Sequence, residues 1–150
     1  MKKIINEMNI SFKAISVNES FARACVASFC VQTKANIDEI TDIKTAVSEA
    51  VTNCVVHAYP NHDGMVNISV KLFKDCVEII ISDSGVGIKN IEQALEPFYT
   101  SKPNEERSGM GFTIMESFMD ALEVSSNSQG GLNVRLVKFF SKANKMAVGE

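Results

Sequence analysis

Nowhere in these 150 residues do lysines and arginines gather into a run; 15 basic against 18 acidic residues leave a net charge of −3. A surface that tracks a nucleic-acid backbone needs the opposite balance, so direct nucleic-acid binding is not expected. No apolar stretch approaches the ~20 residues that cross a bilayer, and the N-terminal segment starts basic without an apolar core of signal-peptide length. A cytoplasmic protein without a membrane partner is the expectation. The four cysteines, Cys25, Cys30, Cys54 and Cys76, lack the C-x-x-C spacing of a metal site. Each sits in an apolar run and reads as a reduced, buried, core-filling thiol. The Walker motif G-x-x-x-x-G-K-[ST] and the dinucleotide fingerprint G-x-G-x-x-G are both missing, which excludes two common nucleotide folds. No internal repeat and no low-complexity tract is present.

What remains is an ordinary globular composition, 45% apolar and 22% charged, and one domain over residues 1–150 with 141–150 as a frayed tail. Residues 8–15 alternate as a strand. Asn18 is the expected cap of a helix with Phe21, Ala24, Cys25, Ser28 and Phe29 on its apolar side. A second helix should run over 37–58, with Ile40, Ile43, Val47, Val51, Cys54, Val55 and Ala58 inward. Val66, Ile68, Val70 and Leu72 alternate with polar residues as a half-buried strand. The unbroken Ile79-Ile80-Ile81 predicts a central strand covered on both sides. A loop-rich stretch over 83–109 holds a short helix near 91–95. Then come a helix over 111–122 and a hairpin of 123–126 with 132–140. These elements predict an α+β two-layer sandwich, a mostly antiparallel sheet with helices on one face.

Three polar clusters stand out against this frame. On the second helix, Glu49, Asn53 and His57 lie within about 80° of one another, opposite Val47 and Val51, at 100° per residue. No lysine or arginine occurs from residue 45 to 59, whereas a solvated helix face mixes its charges. Asn53 suits Mg²⁺, which takes oxygen ligands and retains water and phosphate partners. Glu49, one turn away, suits a general base for an attacking hydroxyl. His57 reads either as a packed histidine or as a nucleotide contact.

The second cluster, Asp83-Ser84-Gly85-Val86-Gly87, follows the apolar strand directly. Glycines there let backbone approach a ligand, and Asp83 offers an acceptor to a buried amino group such as that of adenine. A calcium loop is excluded, because its further acidic ligands are missing. The third cluster, Ser108-Gly109-Met110-Gly111, opens the last helix, where backbone N–H groups and the helix dipole favour phosphate. Thr100, Lys102 and Arg107 precede it, within reach of a triphosphate, on a segment suited to close as a lid.

In order and spacing these segments resemble the N-box and the two glycine boxes of the GHKL ATPase/kinase superfamily, with its Bergerat fold. Within it, Ser48-Glu49-Ala50-Val51-Thr52-Asn53, residues 108–116 and residues 18–23 look like the sporulation anti-sigma branch of serine-protein kinases, over residues 8 to about 140. The resemblance implies a homodimeric kinase that binds ATP·Mg²⁺, holds sigma F inactive and phosphorylates an anti-anti-sigma protein on serine. By position, Glu49 would be the base, Asn53 the magnesium ligand and Asp83 the adenine contact. Gly85, Gly87, Gly109 and Gly111 would shape the pocket, and Arg23 would contact partners. Two departures are visible: Gly131 is followed by Leu132 and Asn133 where many members carry threonine, and Ala58 stands where close relatives have glycine.

The phosphoacceptor follows from the residues themselves. The only histidines are His57 and His62, and no upstream helical hairpin carries an acceptor histidine. Phosphate therefore goes to another protein, or no transfer occurs and ATP only organises a sigma-sequestering surface. A general-stress anti-sigma kinase with another sigma partner is the third reading.

Overall fold

The computed structural model describes residues 3–60, 62–96 and 110–141. In chain order the elements are β1 (Asn6–Lys13), α1 (Val17–Cys30), α2 (Ile37–Asn53), a π-helical turn (Cys54–Ala58), β2 (Met65–Leu72), β3 (Cys76–Asp83), α3 (Ile91–Ala94), α4 (Gly111–Phe118), β4 (Ala121–Ser126) and β5 (Leu132–Phe139). The strands form one sheet in the order β1-β2-β3-β5-β4, and each neighbouring pair is antiparallel. This is the expected α+β sandwich.

The period-two pattern decides which way β2 faces. Val66, Ile68, Val70 and Leu72 are buried under the helices, and the residues between them are half-buried. They meet Val26 of α1, Ile43, Val47 and Val51 of α2, and Met115 of α4 in one core. Removing a side chain of this size from water contributes about 1.5–3 kcal/mol. α2 begins sharply. Asn36 Oδ1 accepts the Glu39 amide at 2.8 Å, and Glu39 Oε1 accepts the Asn36 amide at 2.9 Å, a capping box that satisfies two otherwise unpaired donors. Glu39 is buried, and its other oxygen accepts the Ser141 amide at 2.6 Å.

Four expectations need correction. Ser16, not Asn18, precedes α1, and Asn18 instead donates to the Lys13 carbonyl at 3.0 Å. The buried stripe of α1 is Ala22, Val26 and Cys30, because these residues point at α2; Ala24, Ser28 and Phe21 are exposed, although the Phe21 ring meets Phe12 edge-on at 6.1 Å. The last helix ends at Phe118 and β4 already begins at Ala121; Leu122 pairs with Leu136 in the ladder, so strand pairing overrides the helical period there. β3 is central, but among the described residues no helix covers its outer face. Ile80 is half-buried between Ser69 and Arg135, and Arg135 bridges Glu78 at 2.6 Å and Glu123 at 3.0 Å.

Candidate active site

α2 does not stop at Asn53. The Cys54 amide is shared between the carbonyls of Ala50 and Val51, and the helix widens into the π-turn through Ala58. Such widenings shift the side chains that follow, and they recur at functional sites. Here the wider turn still presents His57 to the same cavity as Asn53 and Cys54.

That cavity has a volume of about 410 Å³. α2 and its π-turn form one wall, and the Asp83–Gly87 loop forms a second. The start of α4 (Gly111, Phe112, Thr113) and β5 (Leu132, Val134) close it. The segment around α3 adds Lys89, Asn90 and Gln93. The three separated clusters of the sequence thus contribute to one concavity.

The glycine loop is held against the π-turn. Val86 donates to the Ala58 carbonyl at 2.9 Å. Gly85 packs so closely on Ala58 that a Cβ would overlap that carbonyl. Gly87 adopts φ +72°, which only glycine takes without cost, and passes close to the Gly130 carbonyl. Tyr59 ties the other end: its hydroxyl donates to the Met65 carbonyl and accepts the Ser84 amide, both at 2.7 Å.

Asp83 is buried at the end of β3. Its Oδ1 accepts the amides of Gly85 at 3.0 Å and Leu132 at 3.3 Å, and Cys54 Sγ approaches Oδ2 at 3.6 Å. Burial, with the neighbouring Asp83 charge, pushes the Cys54 thiol well above its ordinary value, so it stays protonated and can donate.

Asn53, His57, Asp83, Gly87 and Gly111 all line the cavity. Gly85 lies behind the loop, and Met110 stands at the cap of α4. A Cβ on Gly111 would sit 3.1 Å from Asn53 Oδ1, so the start of α4 is pressed against that amide. Glu49 faces elsewhere. It borders an adjoining groove of about 420 Å³ with Arg23, Lys44 and Ser48. Arg23 is held there by Glu19 at 3.1 Å and Ser48 Oγ at 3.4 Å. Thr100, Lys102, Arg107, Ser108 and Gly109 lie outside the described residues.

Among the described residues no group of three or more His, Cys, Asp or Glu could hold a metal alone. The Asn53 amide oxygen fits an ion that draws its other ligands from water and phosphate. No helix among the described residues is long and apolar enough to cross a membrane.

Sequence reasoning passed over two residues. Asn127 donates to the Asp83 carbonyl at 2.9 Å and accepts the Gln129 and Gly131 amides at 3.0 and 3.1 Å. An asparagine before Ser-Gln-Gly-Gly carries the signature of such a side-chain turn and was the available signal. Cys54 was assigned to the core, where it does lie, but no local pattern reveals its contact with Asp83.

Residues 12–138 match the sequence profile of the histidine kinase-like ATPase domain. The chain is similar to the anti-sigma F factor of Clostridium beijerinckii, 56% identical over 137 residues that cover 91% of this chain and 96% of that protein. It is also similar to the anti-sigma F factor of Bacillus thuringiensis, 51% identical over 142 residues covering 94% and 97%.

Proposed function

Since the chain belongs to the histidine kinase-like ATPase family, among the anti-sigma F factors, we propose that it holds sigma F inactive and transfers the γ-phosphate of ATP to a serine of a small anti-anti-sigma protein. ATP binding and a kinase-type activity come with the family. The finer reading rests on one observation: Asn53 and Glu49, one helical turn apart, open on two adjoining concavities. A nucleotide in the first and a protein segment in the second would meet across that turn.

In this reading the base of ATP lies against Asp83, and its phosphates run toward Asn53 and the start of α4. Asn53 would hold Mg²⁺ through its amide oxygen, and the ion, when bound, would supply charge neutralisation for the transferred group. The serine hydroxyl enters from the groove and attacks the γ-phosphorus. The bond to the β-phosphate oxygen breaks, ADP leaves, and Glu49 takes the hydroxyl proton. Little covalent chemistry is asked of the protein; positioning and charge neutralisation supply most of the rate.

Replacing Asn53 with alanine is expected to weaken ATP binding about tenfold or more in magnesium, and far less in chelator. Titration calorimetry in both buffers checks this, and equal affinities in magnesium would remove the assignment. Arg23→Glu is expected to abolish partner binding and leave ATP affinity within about twofold, because Arg23 stands in the groove and outside the cavity. A variant that still captures both sigma factor and acceptor protein would contradict this.

A homodimer in the cytoplasm completes the proposal. Among the described residues β1 pairs on one side only, with β2. A two-fold antiparallel pairing centred on Ile10 would set Glu7 opposite Lys13, Met8 opposite Phe12 and Asn9 opposite Ser11, complementary at each step. Sedimentation equilibrium should give twice the chain mass of 16.4 kDa; a single-chain mass at micromolar concentration would count against it.

A further inference from the structure

Asp83 presents an acceptor arrangement with one opening. A carboxylate has about four acceptor positions, two on each oxygen. Both positions on Oδ1 are filled by the amides of Gly85 and Leu132, and the Cys54 thiol fills one on Oδ2. Asp83 is only 7% exposed and lines the cavity, so the remaining position opens on the cavity instead of bulk water. Among the side chains that line the same cavity, those of Ala50, Ala58, Leu132 and Val134 are apolar.

We propose that Cys54 sets the base selectivity of this site: its thiol occupies one acceptor position on Asp83 Oδ2 and so directs the other into the cavity, where it takes a single amino N–H of a purine. The inference rests on the ATP-binding reading above and gives that reading a specificity-determining residue. Cys54 is the first residue of the π-turn, opposite the end of β3, and its Sγ reaches Asp83 across 3.6 Å. Without a donor at that position, Oδ2 keeps two open positions against an apolar wall. The carboxylate then depends on the Oδ1 contacts alone, and its terminal torsion is intrinsically broad. A water molecule satisfies the vacated position and competes for the carboxylate's orientation. A purine lacking the amino group loses little under those conditions, whereas adenine loses its aligned acceptor. Cys54 is therefore a positioning residue acting through Asp83.

The test is calorimetric titration of wild type, Cys54→Ala, Cys54→Ser and Cys54→Val with ATP and with purine riboside triphosphate, which differs only in lacking the 6-amino group. Wild type is expected to prefer ATP by about tenfold or more, since the analogue leaves Asp83 unpaired. Alanine and valine should each reduce that preference about three- to fivefold, with ATP taking the loss, and serine, which retains a donor, should restore it. Valine fills the volume, so it serves if the alanine variant does not fold. Equal losses for both nucleotides, or an unchanged ratio in every folded variant, would assign Cys54 to packing alone and overturn the proposal. Wild type that fails to bind ATP, or binds both nucleotides equally, would instead overturn the reading of the site itself.

Discussion

Asp83→Asn is expected to lower ATP affinity about a hundredfold while leaving the chain folded. The substitution preserves shape, and its carbonyl oxygen can still accept the Gly85 and Leu132 amides that hold the loop. The second oxygen becomes an NH₂ group, which faces the Cys54 thiol and the cavity. A donor then meets the amino group of adenine, where the wild type offers a charged acceptor. Losing a hydrogen bond to a charged group and leaving buried donors unpaired costs about 1–3 kcal/mol, and about 2.7 kcal/mol corresponds to the hundredfold. Titration calorimetry measures the affinity, and an unchanged thermal midpoint would show that the loss is local. An affinity within about threefold of wild type would mean that the base is read elsewhere.

The second large effect is expected at Glu49, with the opposite signature. Glu49→Ala should reduce phosphoryl transfer about 10²- to 10⁴-fold, the usual range for a positioned acid or base, with ATP affinity within about twofold. The geometry separates the two readouts. Glu49 borders the groove that contains Arg23 and Lys44 and does not line the cavity, whereas Asn53, one turn later, does. Uncoupled turnover and binding distinguish a general base from a residue that shapes the pocket. Single-turnover transfer in the variant checks the prediction, and a rate within about tenfold of wild type would remove Glu49 from the chemistry.

Legibility in the sequence followed the range of the interactions. The alternation from Val66 to Leu72 and the long apolar stripe of α2 were plain, because period and capping act within a few residues. The clusters around Asn53, Asp83 and Gly111 could be read together because their order and spacing resemble the N-box and glycine boxes of one family. The π-turn that follows α2 was not legible: no local period marks it, and its last carbonyl, Ala58, meets the Val86 amide far along the chain. The apolar run at Ile80 misled, because strand residues alternate between faces and this one lies on the polar side beside Arg135. Cys54 meets Asp83 across 29 positions and Asn127 meets it across 44; no local period encodes such distances. The early end of α4 was hidden for a related reason, since Leu122 satisfies either a helical or a strand pattern until β5 is in place.

The measurement that bears most directly on this account is transfer of γ-labelled phosphate from ATP, in magnesium, by the wild-type chain to an anti-anti-sigma protein. The account predicts label on a serine of that protein, with ADP released in equal amount. A folded, ATP-binding chain that transfers none would contradict it, and would recast the protein as a nucleotide-gated surface that sequesters a sigma factor.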